Sequence, residues 1–148
     1  MRWNISALKF MYNMERFATQ IYLTQRRVFD EEWILKKLNA AAENEQEHVN
    51  VLRKRILELQ GNRSHIGFLF QTAARLLGTI AGIFGKEFVL KVDVFVENRA
   101  IKDYGAFLNR VKFDEDTVNL IDRIIADEVF HKETWKSSLE ELTGQEEK

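Results

Sequence analysis

The sequence predicts an all-α protein, a four-helix bundle with one long crossover, and three observations carry that prediction. Proline is absent, and the chain is rich in the helix formers Glu, Lys, Leu, Ala and Arg. Four long segments carry apolar residues at helical spacing. Two short breaks and one long apolar stretch separate them, as expected for two antiparallel helix pairs joined by a crossover.

The first segment runs from about Asn4 to Phe29, with Leu8, Met11, Glu15, Ala18, Tyr22 and Gln25 along one face. Asp30 is the expected cap of the second, from about Glu31 to Leu59. The break "QGNRSH" (Gln60–His65) offers a glycine and capping residues, and His65 reads as a loop or capping residue. Then comes "IGFLFQTAARLLGTIAGIFG" (Ile66–Gly85), apolar and holding four of the seven glycines. The third segment spans about Lys86 to Val111. Asp114 is the expected cap of the fourth, which ends near Leu142, before a polar tail expected to fray. Each long helix would extend about 37 Å at 1.5 Å per residue. This is the layout of a ferritin-like bundle in a single domain, residues 1–148, with its ordered core over about 4–142.

Composition narrows the chemistry. The formal net charge is −1, and no long basic run appears, so nucleic acid is not an expected partner. Cysteine is absent, which removes disulfides, zinc–thiolate sites, iron–sulfur clusters and thiol nucleophiles. A metal here must be held by oxygen and nitrogen. The opening "MRWNISALKFMYNMERF" carries no secretory pattern, so a cytoplasmic location is the expectation.

The stretch "AAENEQEHVN" holds Glu45 and His48 three residues apart, on adjacent turns of one helix face. "DEVFH" repeats the pair as Glu128 and His131. Upstream, Glu15 and Glu97 are each followed seven residues later by a tyrosine, Tyr22 and Tyr104. Glu15/Glu97 and Tyr22/Tyr104 are offset by 82 residues, Glu45/Glu128 and His48/His131 by 83. The chain is thus a duplicated helical hairpin. Four Glu and two His, with one Glu from each of two helices and a Glu-x-x-His from each of the others, form the ligand set of a carboxylate-bridged di-iron or di-manganese bundle. Two divalent cations carry four positive charges, which four carboxylates neutralise inside a core. On this reading Glu45 and Glu128 bridge, Glu15 and Glu97 are terminal carboxylates, and His48 and His131 supply one nitrogen each. The expected cofactor is two iron ions, with manganese as the alternative. Beside them, Tyr22 and Tyr104 either hydrogen-bond the carboxylates, support redox chemistry or simply fill the core. Asp127, its counterpart Asn44 and Asp93 are candidates to orient ligands from behind, against the plainer reading of surface polar residues.

"ERFATQIYLTQ" (Glu15–Gln25) resembles the first-helix pattern of the COQ7-type demethoxyubiquinone hydroxylases, and "LGTIAGIFGKEFVLKVDVFVENRAIKDY" (Leu77–Tyr104) is similar to that family's crossover and third helix. The likeness covers roughly residues 8–140. It implies a di-iron site on Glu15, Glu45, His48, Glu97, Glu128 and His131 that uses O2 to hydroxylate a hydrophobic, quinone-like substrate with electrons from a separate donor. The ligand motif is shared with rubrerythrins and bacterioferritins, so ferroxidase or peroxidase chemistry is the alternative. A metal-binding interaction protein without catalysis is an alternative of another class. Residues 66–85 read either as core packing or an oligomer interface, with Gly78 and Gly82 permitting close helix approach, or as the place of peripheral contact with a membrane face and the hydrophobic substrate. A homo-oligomer is expected.

Overall fold

The computed structural model describes residues 2–62 and 67–146, and His65 lies outside them. Five helices follow in order: α1 (Arg2–Gln25), α2 (Glu32–Glu58), α3 (Gly67–Ile83), α4 (Lys86–Arg110) and α5 (Glu115–Glu146). No strand occurs among the described residues. α1 packs along α2 and α4 along α5; the hairpins meet α1 to α4 and α2 to α5, so the long helices ring the core in the order α1, α2, α5, α4. α3 is the crossover, lying on α1 and touching α4. The all-α, ferritin-like bundle read from the sequence is thus borne out.

Every residue named on the inner face of the first segment is buried, Glu15 and Gln25 included. The core is divided along its length. One apolar cluster gathers Ile21, Tyr22, Ile34, Leu38, Leu90 and Trp135. The other gathers Leu8, Met11, Leu52, Tyr104, Ile121 and Ile124. Burying each such aliphatic side chain is worth about 1.5–3 kcal/mol. Between the clusters along all four long helices lie Glu15, Glu45, His48, Glu97, Glu128 and His131, each at most 5% exposed.

The helix ends both follow and depart from the sequence reading. Asp114 caps α5 as expected: its Oδ1 accepts from Thr117 N at 2.9 Å and from Arg55 Nη2 at 2.5 Å. Asp30 does not cap α2. The cap position falls on Glu31, without a side-chain cap bond, and both acids turn to Lys86, whose Nζ lies 2.9 Å from Glu31 Oε1 and 3.4 Å from Asp30 Oδ2. That ion pair joins the corner between α1 and α2 to the start of α4. In the second break the left-handed backbone falls on Gln60 (φ 58°), not on the glycine. Gly61 answers a spatial demand, since a Cβ there would lie 2.8 Å from Ile56 Cγ2 and 2.9 Å from the Ile56 carbonyl oxygen. α1 ends at Gln25 because its last turn tightens, with Arg27 N donating to Thr24 O and Val28 N to Gln25 O. α5 runs past Leu142 to Glu146, because no proline stops it and Leu142 is buried.

In α3 the small residues Gly67, Ala74, Gly78 and Ala81 face inward. A Cβ on Gly78 would sit 3.1 Å from Thr24 Cγ2, and one on Gly82 would sit 2.8 Å from Val28 Cγ2, so the close approach expected of both glycines is present. Phe68, Leu69, Leu76, Ile80 and Ile83 stand exposed on the other face. Among the described residues no helix is long and apolar enough to cross a membrane.

Candidate metal centre

The six residues singled out by spacing converge. Ligand atoms of Glu15, Glu45, His48 and Glu128 lie within 4.8 Å of one another, and so do those of Glu45, Glu97, Glu128 and His131. The two sets share Glu45 and Glu128. Each of these carboxylates divides its oxygens between the two histidines. Glu45 places Oε2 3.4 Å from His48 Nδ1 and Oε1 2.9 Å from His131 Nδ1. Glu128 places Oε1 3.4 Å from His48 Nδ1 and Oε2 3.8 Å from His131 Nδ1. The remaining acids stand at the flanks, Glu15 Oε2 3.6 Å from His48 Nδ1 and Glu97 Oε1 3.7 Å from His131 Nδ1.

This donor set is shaped for cations. Both oxygens of Glu45, Oε2 of Glu97, Oε1 of Glu128 and Nδ1 of both histidines are buried without a hydrogen-bond partner. Buried polar atoms are ordinarily paired, and six orphans converging on one spot match two divalent ions held by oxygen and imidazole. The electrostatics agree. Burial, then the charges of Glu128 and Glu45, raises the Glu15 carboxyl well above its ordinary range. Burial and the charge of Glu128 do the same to Glu97. Burial pulls the His131 imidazolium down, yet Glu128 and Glu45 outweigh it and lift the group to about 9. His48 is likewise lowered by burial but raised further by Glu128, Glu15 and Glu45. For Glu45 burial is outweighed by the neighbouring Glu15 carboxyl and both imidazoles, which hold it below its usual range. Protons therefore compete with metal at this cluster.

The supporting residues cross between the halves. Tyr22 donates its hydroxyl to Glu97 Oε1, and Tyr104 donates to Glu15 Oε1, so each tyrosine holds the flanking acid of the other hairpin. Of the readings open for these tyrosines, the bond to a carboxylate is the one present, and both rings also fill the core. Trp135 Nε1 donates to Tyr22 Oη at 3.0 Å, a role the sequence analysis missed, although Trp135 follows His131 by one turn on the same face. Asp127 Oδ2 lies 2.9 Å from His48 Nε2, across the bundle from its own Glu-x-x-His pair. Its counterpart Asn44 lines a cavity beside His131. Asp93, one turn before Glu97, is buried and accepts from Gln25 Nε2 at 2.6 Å, and burial lifts its carboxyl to about 8. Gln25 stood on the inner face in the sequence, but nothing in the spacing tied it to Asp93.

Two of the cavities along the seam between α2 and α5 reach the converging residues. One of about 410 Å³ reaches His131 and is walled by Lys37, Ala41, Phe130 and Trp135; the other, about 150 Å³, reaches His48 beside Arg123 and Ile124. A third, about 370 Å³, lies under the crossover among Phe17, Leu77, Val92 and Phe95, and none of the six converging residues lines it.

The family described as ubiquinone biosynthesis protein COQ7 matches residues 7–143, nearly the whole bundle. The chain belongs to the COQ7 family. Two 3-demethoxyubiquinol 3-hydroxylases are similar to it over 118 residues: that of Azoarcus sp. (strain BH72) at 28% identity and that of Dechloromonas aromatica (strain RCB) at 27%. Each alignment covers 79% of this chain and 57% of the relative, so the chain spans little more than half the length of those proteins. The crystal structure of a hypothetical protein from Methanococcus jannaschii shares the fold, with a TM-score of 0.79 at 19% identity, covering 94% of this chain and 81% of that one.

Proposed function

We propose that this COQ7-family bundle binds two iron ions and uses O2 to hydroxylate a hydrophobic, quinone-like ring. The carrying observation is the pair of four-residue sets that share Glu45 and Glu128. Glu15, Glu45, His48 and Glu128 would hold one ion, and Glu45, Glu97, Glu128 and His131 the other. When bound, the iron pair supplies the electrons and the open coordination sites that O2 chemistry needs. The names of the two hydroxylases support the substrate class. One oxygen atom of O2 enters a ring C–H bond; the other leaves as water with two protons, and a separate donor supplies two electrons.

The chain's own residues do the positioning. Asp127 accepts from His48 Nε2, which selects the tautomer with Nδ1 free to ligate. Tyr22 and Tyr104 fix one oxygen of Glu97 and Glu15, leaving the other to turn toward a cation. The exposed apolar row from Phe68 to Ile83 suits contact with a lipid phase that carries such a substrate.

The test is an anaerobic Fe(II) titration. About two ions per chain are expected, and Glu45→Ala, which removes a residue common to both sets, should abolish the second and weaken the first by 10-fold or more. Fewer than two ions, or undiminished binding in Glu45→Ala, would falsify the metal reading. Iron-loaded protein given a soluble quinol, a reductant and isotopically labelled O2 should yield a product heavier by one labelled oxygen. Iron oxidation or peroxide consumption without that product would instead assign ferroxidase or peroxidase chemistry.

A further inference from the structure

The two halves of the cage present the same ligands, so what distinguishes them lies in the residues behind the ligands. Each set contributes one flanking glutamate, one histidine and the shared Glu45 and Glu128, and each flanking glutamate accepts a tyrosine hydroxyl. Behind these the 83-residue repeat fails at two places. His48 Nε2 lies 2.9 Å from Asp127 Oδ2, whereas the residue matching Asp127 is Asn44, and among the described residues His131 meets carboxylates through Nδ1 alone. Trp135 Nε1 donates to Tyr22 Oη at 3.0 Å, whereas the residue matching Trp135 is Leu52, whose side chain has no donor to offer Tyr104.

We infer that the two metal positions are unequal: the one on Glu15 and His48 fills first and holds its ion more tightly, and the one on Glu97 and His131 is the weaker, exchangeable position. Both breaks in the repeat push the same way. A carboxylate accepting from the far nitrogen of an imidazole makes the ligating nitrogen more basic and fixes the ring, and losing such a partner costs about 10–100-fold in metal affinity. Asp127 borders both cavities of the seam, yet of the two histidines only His48 lies within its hydrogen-bond reach. On the other side, a hydroxyl that itself accepts a hydrogen bond is a stronger donor. Tyr22, backed by Trp135, therefore draws more charge from Glu97 than Tyr104 draws from Glu15, and leaves a poorer ligand. Charge around the histidines adds to the difference. Glu47 stands with Arg123 beside His48, and Arg123 turns its Nε to the Asn119 carbonyl at 3.1 Å. The position matching Glu47 is Phe130, and Lys37 stands beside His131. A cation thus meets less negative charge at His131. The inference rests on the metal-centre reading and adds an order to it: at limiting metal the chain holds one ion, and the pair forms only above a threshold.

The experiment titrates Co(II) under argon into metal-free protein, read by calorimetry and by the hyperfine-shifted proton resonances of Co(II)-bound imidazole. Wild type is expected to take two ions in two steps separated about tenfold or more. His131→Gln should keep the tight step and the imidazole signals that appear with the first equivalent, and His48→Gln should lose both. Asp127→Asn should weaken the tight step about tenfold, and Asn44→Asp should tighten the weak step by a similar factor. Both exchanges preserve side-chain shape at partly exposed positions, so they leave the fold in place. Fewer than two ions would overturn the metal reading and this inference together. Two ions taken in a single step, two steps indifferent to both exchanges, or first signals that vanish in His131→Gln and survive in His48→Gln would overturn this inference alone.

Discussion

Replacing Asp93 with asparagine separates the cost of one buried carboxyl from everything around it. Asp93 is fully buried; Gln25 Nε2 donates to its Oδ1, and its Oδ2 has no partner among the described residues. Burial raises the group from an ordinary 3.8 to about 8, the Gln25 bond opposing only part of the shift. Between those values the folded protein keeps a proton that the unfolded chain has released. Stability from this group is therefore full below about pH 4 and falls as pH rises toward 8. Each pH unit in that window changes the folding equilibrium tenfold, so going from pH 5 to pH 7 should cost about 3 kcal/mol. Asn has the same shape, carries no titrating proton, and offers an amide hydrogen where Gln25 Oε1 is buried without a partner. Urea unfolding of metal-free wild type and Asp93→Asn at pH 5, 6 and 7 should give curves that diverge, the variant gaining relative to wild type at each step. Using the difference removes titration by the histidines and glutamates, which both proteins share. Parallel pH profiles would refute the reasoning.

Two further perturbations address single bonds. Tyr22→Phe deletes the hydroxyl that donates to Glu97 and accepts from Trp135, leaving two buried polar atoms without that partner; it should destabilise by about 1–3 kcal/mol in thermal unfolding. A loss under half of that would mean the bonds carry no net stability. Asp114→Ala removes the α5 cap and the Arg55 contact, and should cost about 1 kcal/mol in urea; Asp114→Ser should recover most of it if capping is the cause.

The parts of this molecule that were legible beforehand depend on periodicity. Glu45 and His48 share a helix face by geometry alone, and their repetition as Glu128 and His131 made convergence a strong expectation. Contacts between helices obey no such rule. That Asp127 serves His48, and not His131 on its own helix, depends on how α5 faces α2. Gln25 and Asp93 sit on α1 and α4, and only docking of the hairpins joins them. Local cap and turn chemistry misled at two points: the α2 cap falls on Glu31 and not Asp30, and the left-handed conformation usual for glycine after a helix falls on Gln60, while Gly61 fits beside Ile56.

The crossed tyrosines bear on how such a protein can arise. Since Tyr22 holds Glu97 and Tyr104 holds Glu15, neither hairpin satisfies its own tyrosine, but two copies of one hairpin would satisfy each other completely. A symmetric dimer of that hairpin would already possess the whole cage. It could not possess Asn44 opposite Asp127, or Ala41 opposite Ile124, because identical halves must carry identical residues. Joining the copies through α3 freed one side to back its histidine with a carboxylate and the other to leave it without one. The linkage between the hairpins is in this sense what allows a symmetric cage to have a front and a back.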